Sequence, residues 1–357
     1  LPVLNYDMAR LREVELYPFQ QLIDAGLQGM MVAHLHVPAI DPTPNISTTL
    51  SPKAINDLLK NEMGFDGIVF TDGLEMKGVT KNYEADEVAI MAIQAGNHML
   101  LLPDDIDLAF SGLKAAFSKG KLDINILNDN VRRILAAKYR LGLDSLILPT
   151  PENAAKMAFD PYAVGIKYKL IEEAITVAQN KRALIPMVDV IKPKMALMSI
   201  GSTTITRFQG RMDSYVKADH YNISHTLKDV DEKSLLKDLK KYDRVIIALH
   251  QMTNKVAGNF GLTPEELTLI QNINRQNEVI LVVFGSPYSL KYFENIDHII
   301  MAYEDSPEVE DIAAQGLVGV YGFKGKLPVT ASNIFPVHQG FTTPSLKRMG
   351  YSVPERV

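Results

Sequence analysis

From Pro18 onward, helical and extended segments alternate with short connections, the pattern of βα units laid on a parallel sheet. Phe19–Gly26 has helical spacing and stops at a glycine, and Gly29–Asp41 is extended and carries a proline near its end. Ser51–Phe65 reads as a helix with Ser51 as N-cap and Pro52 at the first helical position. The short apolar strand Ile68-Val69-Phe70 then runs straight into Thr71-Asp72-Gly73. Helix Glu84–Gly96, strand His98–Pro103, helix Asp105–Gly120 and a helical segment Ile126–Gly142 complete the region. Each of the three strands before residue 145 is therefore followed by a helix. A closed (β/α)8 barrel takes eight such units and about 250 residues, so residues 1–145 read either as an open α/β layer or as the last three units of a barrel.

Residues 146–165, with Pro149, Pro151 and Pro161 and little periodicity, read as a linker. A second alternating domain follows over 166–335. It opens with a helix over Ile166–Asn180 and has strands at Lys194–Gly201, Asp243–His250, Glu278–Gly285 and Asp297–Tyr303. Helices are expected at Glu232–Lys241, Pro264–Gln276, Pro287–Asn295 and Pro307–Gly316, which predicts an α/β sandwich: a mostly parallel sheet with helices on both faces. Phe323–Ser332 reads as a loop leading into a strand, and residues 336–357 as an irregular tail. At 357 residues the chain is too long for one ordinary core.

Net charge is -5 and the lysines and arginines are scattered, so nothing supplies the positive field that a nucleic-acid backbone requires. Cysteine is absent, which removes disulfides, thiolate nucleophiles and cysteine metal sites and fits cytoplasm and periplasm equally. No apolar run approaches the roughly 18 residues of a spanning helix. The opening LPVLNYDMAR lacks the basic and apolar regions of a leader peptide. A start without methionine on what reads as ordered sequence is expected of a processed product or a piece of a longer protein.

In parallel α/β architectures, reactive groups collect at the carboxyl ends of strands. Asp72 stands at such an end, on a strand expected to be buried on both faces, with Gly73 allowing close approach to its carboxylate. The competing reading is a carboxylate that caps the following turn. Glu75 offers a second carboxylate, and glycoside hydrolysis pairs two acids at about 5–5.5 Å or 6.5–9.5 Å; the plainer reading of Glu75 is a solvated side chain. His34 and His36, two apart on an expected strand, share a face. They suit substrate contact or packing, and without a third ligand or an HExxH pattern no metal is expected. Ser286 in GSPYSL reads as an N-cap, and no GxSxG motif supports triad chemistry.

The stretch GFDGIVFTDGLEM, Gly64–Met76, resembles the nucleophile segment of family 3 glycoside hydrolases, written GFDG-x-V-x-[ST]-D. It is closest to the β-N-acetylglucosaminidase branch, which continues with a methionine four residues after the aspartate, here Met76. MMVAHLHVPAIDPTPNISTTLS is similar to that branch's preceding strand and loop, and KGKLPVTAS to the end of the sandwich domain that follows the barrel in two-domain members. The resemblance implies the C-terminal part of a TIM-type barrel followed by an α/β sandwich. It also implies Asp72 as the nucleophile of a retaining β-N-acetylhexosaminidase, forming a covalent glycosyl-enzyme. Such a carboxylate stays ionised, so hydrogen-bond donors are expected around it. Substrate contacts are expected from His34, His36, Glu75 and Met76, with no cofactor and a carbohydrate partner such as a peptidoglycan-derived or similar sugar.

The branch carries its acid/base on an upstream loop of the form K-H-F-P-G-H-G-x-T-x-x-D-S-H, and none of the eight histidines here has that context. The acid/base half is expected in a missing N-terminal part of the same polypeptide. His98 stands where relatives have aspartate, and Glu75 where they commonly have serine. Three alternatives remain open: a β-glucosidase, a phosphorolytic family member, and a non-catalytic sugar-binding or assembly module.

Overall fold

The computed structural model describes residues 1–158, 160–227 and 230–353. The chain divides into two compact units, Leu1–Leu148 and Pro149–Val357. Each contains its own sheet. No helix among the described residues is long and apolar enough to cross a membrane.

In the first unit, β1 (Gly29–Val32), β2 (Ile68–Gly73) and β3 (Met99–Leu101) lie side by side in sequence order, all parallel. The intervening helices are capped as their sequences allow. Ser51 Oγ accepts the Ala54 N–H ahead of the helical segment Lys53–Glu62, which is wound with i→i+5 bonds. Glu84 and Glu87 form a reciprocal capping box at the start of Ala85–Ala95, and Gly96 ends that helix at φ 107°. Val69 packs with Ile55, Leu59, Phe65 and Ala95 on the helix-covered side of β2.

Burial along β2 alternates, with Val69, Thr71 and Gly73 buried and Ile68, Phe70 and Asp72 only partly so. The expectation of a strand buried on both faces is therefore not met. The reason is the extent of the layer: three strands form an open sheet, with no closed barrel among the described residues, so alternate side chains lie on an uncovered face. Met31, opposite Phe70 in register, is 54% exposed on that face.

The second unit matches the sandwich expectation. Its six strands are β4 (Thr176–Asn180), β5 (Met195–Ile200), β6 (Ala218–Ile223), β7 (Arg244–Leu249), β8 (Glu278–Val283) and β9 (His298–Met301). They run in the order β4-β9-β8-β7-β5-β6, parallel except for β4 at one edge. Alternate residues of the central strands feed two separate cores. Met198, Ile247 and Leu281 pack with Leu269 and Ile273 of helix Pro264–Gln276. Leu197, Ile246 and Ile280 pack with Phe208, Ile312 and Leu317 on the opposite side. Each fully buried Ile, Leu or Val is worth about 1.5–3 kcal/mol of transfer free energy, which explains near-continuous apolar runs in place of alternation.

Several local expectations change. The helix expected over Ile166–Asn180 ends at Ala174, and Thr176–Asn180 is the antiparallel edge strand β4, because its backbone finds a ladder on β9. Residues 151–158, inside the stretch read as a linker, are helical. Polar β6 and helix Arg207–Met212 were not anticipated; β6 carries Asp, His and Asn and pairs only with β5, so its sequence lacks an apolar run. Phe323–Ser332 forms no strand, although Leu327 exchanges backbone bonds with Gln339 and His338. Ser286 stands at the expected N-cap position of the short Pro287–Tyr292 turn, but its side chain makes no capping bond.

Candidate active site

The two halves of the GFDG…TDG segment do different work at opposite ends of β2. Gly64 turns the chain at φ 74°. Phe65 enters the core, and Asp66 accepts a 2.8 Å ion pair from Arg133. A Cβ on Gly67 would stand 2.5 Å from the Gln28 carbonyl oxygen, so glycine permits the close approach of the chain before β1. At the other end, buried Thr71 accepts the Leu101 N–H at 2.8 Å, tying β2 to β3 one residue before Asp72.

Asp72 lies at this carboxyl end, partly buried and on the open face with Phe70. Its Oδ1 accepts the Gly73 N–H at 2.8 Å. The Gly73 carbonyl is held in turn by His34 Nε2 at 2.9 Å and by the Met76 N–H at 3.2 Å. A carbonyl can only accept, so His34 carries its proton on Nε2. Its Nδ1 meets Thr49 Oγ1 at 2.8 Å. Buried His34 thus grips the backbone beside Asp72 with both ring nitrogens engaged.

Glu75 is exposed, but its carboxylate folds back over Gly73, where a Cβ would meet its oxygens at 2.6 and 2.8 Å. The group that exploits the missing Cβ of Gly73 is thus a second carboxylate. Met76 occupies the N-cap position of the helical turn Lys77–Thr80, with its side chain 46% exposed. His36 does not join His34. β1 ends at Val32, so the two-residue strand period does not reach either histidine. His36 Nδ1 instead binds the Ile46 carbonyl at 3.1 Å, and its backbone pairs with Pro2 and Leu4. Asp41 belongs to the same loop. Burial pushes its carboxyl up, yet hydrogen bonds from Ser51 and Thr43, aided by the Lys53 charge, hold it low, at about 2.

His98, at the entrance of β3, is structural. Its Nδ1 accepts the Val69 N–H at 2.9 Å and its Nε2 lies 3.2 Å from Lys60 Nζ. Burial, and then the Lys60 charge, depress its pKa to about 4. A cavity of about 510 Å³ lined by Gln28, Asp66, Gly67, Arg133 and Arg140 opens at the amino ends of β1 and β2. That is the opposite end from Asp72, and in parallel α/β folds it is the end associated with stability. Sequence reasoning passed over one further group, His250, Asp305 and Glu310 in the second unit. The signal was available, since His250 directly follows β7 at its carboxyl end.

Residues 1–137 match the family description "Glycosyl hydrolase family 3 N terminal domain". A beta-hexosaminidase of Nitrosomonas eutropha is 39% identical over 111 residues, 30% of this chain and 31% of that protein. A beta-N-acetylglucosaminidase/beta-glucosidase of Cellulomonas fimi is 23% identical over 340 residues, covering 88% of this chain and 59% of that one. The solved structure of a glycoside hydrolase family 3 beta-N-acetylglucosaminidase from a Paenibacillus species shares the fold. Its TM-score is 0.72 at 22% identity, over 91% of this chain and 62% of that one. The matches span from about a third to under two thirds of these proteins' lengths. The first unit, a parallel layer with a carboxylate at a strand's carboxyl end, is the part of the chain that these matches liken to glycoside hydrolase domains. Over residues 1–137 the similarity is to the N-terminal domain of glycosyl hydrolase family 3.

Proposed function

We propose that Asp72 is the nucleophile of a retaining glycosidase acting on terminal β-linked N-acetylglucosamine. The observation that carries the proposal is the placement of Asp72: a carboxylate at the carboxyl end of β2, on the open face, beside a backbone pinned by His34 and by the β3 ladder. One Asp72 oxygen attacks the anomeric carbon, the glycosidic C–O bond breaks, and the aglycone oxygen leaves with a proton from an acid/base group. Water then cleaves the glycosyl ester, releasing the sugar with retained configuration and restoring the carboxylate.

The rigid support matters because a nucleophile misplaced by about 1 Å can lose about 10²-fold in rate. His34 acts here as a positioning residue. Glu75 and Met76, exposed just beyond the nucleophile, are proposed to face the sugar. The proposal covers the nucleophilic half of the reaction and assigns no described residue as the acid/base.

The name of the 39% identical relative favours an N-acetylhexosamine, and the double name of the Cellulomonas relative supports a glucoside as the second reading. Turnover of nitrophenyl N-acetylglucosaminide against nitrophenyl glucoside, with and without phosphate, separates the two sugars and tests phosphorolysis. The proposal expects preference for the amino sugar without phosphate dependence, and loss of turnover in Asp72→Asn. An Asp72→Asn protein that keeps its rate refutes the assignment.

A further inference from the structure

The second unit has a concentration of ionisable groups of its own, at the carboxyl edge of its sheet. The chain passes from β5 outward to β6 and then back across β5 to β7, so the strand order reverses between β5 and β7. In open parallel sheets, the space outside the strand ends near such a reversal is a favoured place for ligands. His250 is the first residue after β7, Asp305 follows β9, and Glu310 lies in the first turn of helix Pro307–Leu317. Each offers one ligand atom, and these atoms all lie within 4.8 Å of one another.

The imidazole is the unusual member. His250 is 2% exposed, and its ring stacks on Phe284 at 4.8 Å with an interplanar angle of 17°. Nδ1 meets Asp305 Oδ1 at 2.9 Å, while the enclosed Nε2 has no hydrogen-bond partner among the described residues. Buried polar atoms are almost always answered by protein, water or an ion.

The carboxylates are held firmly. Asp305 Oδ2 accepts the Gln251 N–H at 2.6 Å, and Glu310 Oε2 accepts the Phe208 N–H at 2.9 Å. Burial pushes the Glu310 carboxyl up. For Asp305, burial acts in the same direction, but hydrogen bonds from His250 and Gln251 outweigh it and hold the carboxyl low. The nearby guanidiniums of Arg207 and Arg211 are paired with Asp311, at 3.2 and 2.7 Å.

We propose that His250, Asp305 and Glu310 bind one divalent transition-metal ion of the zinc type. One imidazole nitrogen and two carboxylates form a zinc-like donor set with a fourth tetrahedral position left for water. Calcium and magnesium, which take six or more oxygen ligands, are poorly served by it. Binding draws together the residues that follow β7 and β9 and the start of helix Pro307–Leu317. The site is independent of the role proposed for Asp72.

The test uses the chelator-stripped chain titrated with zinc chloride and, separately, magnesium chloride by calorimetry, with cobalt chloride as the visible-absorbing probe. The expected result is one zinc per chain, no saturable magnesium binding, and cobalt bands of a low-coordinate N/O site. Affinity falls at least about tenfold in Asp305→Asn and Glu310→Gln. His250→Gln is predicted to do the same, while Asp305→Asn, isosteric at a partly exposed position, serves even if His250→Gln fails to fold. Zinc binding of equal strength in Asp305→Asn, no stoichiometric binding, or a crystal structure from zinc-containing solution with only water between the three side chains overturns the proposal.

Discussion

His98 makes the stability of the first unit depend on mildly acidic pH. The ring is 9% exposed, accepts the Val69 N–H and faces Lys60 Nζ, so its protonated form is penalised first by burial and then by a like charge. Its pKa is depressed to about 4, against about 6.5 in an unfolded chain. A group with a depressed folded pKa contributes stability above its unfolded value, and that contribution is lost as pH falls towards the folded value. The window is therefore about pH 6.5 down to about pH 4. At about 1.4 kcal/mol per unit, the full loss is about 3 kcal/mol.

The perturbation is His98→Asn, which keeps a δ-position acceptor for Val69 and removes the titration. Urea unfolding followed by circular dichroism at a series of pH values gives the stability of each protein, and the chain has no tryptophan to complicate optical readouts. His298, depressed by burial in the second unit, titrates in both proteins and cancels in the difference. Lys60, lowered by burial to about 8, titrates above the window. The wild type is expected to lose about 3 kcal/mol relative to the variant across the window. Parallel stability curves refute the argument.

Gly67→Ala places a Cβ 2.5 Å from the Gln28 carbonyl oxygen and 2.6 Å from Phe65 Cζ, so it is expected to destabilise by about 1–3 kcal/mol in thermal or urea unfolding. Gly210→Ala, in helix Arg207–Met212 with nothing within 4 Å of the new Cβ, is expected to stabilise by about 0.5–1 kcal/mol and serves as the control. His34→Phe keeps the ring's bulk but removes its hydrogen bonds to the Gly73 carbonyl and Thr49. It is expected to destabilise by about 1–2 kcal/mol and to lower kcat more than it changes KM, as measured on a nitrophenyl N-acetylglucosaminide.

Much of the fold was legible because parallel strands and amphipathic helices write strong periodicities. β5, β7, β8 and β9 are short apolar runs, and helices such as Pro264–Gln276 begin at Thr-Pro and continue at helical spacing. What failed was decided by pairing. β4 reads as the continuation of a helix until β9 offers it a ladder, and β6 is too polar to announce itself. At the site, the position of Asp72 followed from the strand-end rule and the motif. The grip of His34 on Gly73 did not, because it joins residues 39 apart in sequence through a loop that the strand period does not describe. The burial of His98 and the orphaned Nε2 of His250 were likewise invisible, since both depend on which side chains close around them.

The most direct test of the account is covalent trapping of the nucleophile. A 2-fluoro glycoside with a dinitrophenolate leaving group departs without protonation, so it interrogates the carboxylate without demanding an acid/base. Peptide mass mapping after incubation is predicted to place the glycosyl adduct on the peptide containing Asp72, with one dinitrophenolate released per label and no label in Asp72→Asn. A label on any other residue, or undiminished labelling of the Asp72→Asn protein, contradicts the account.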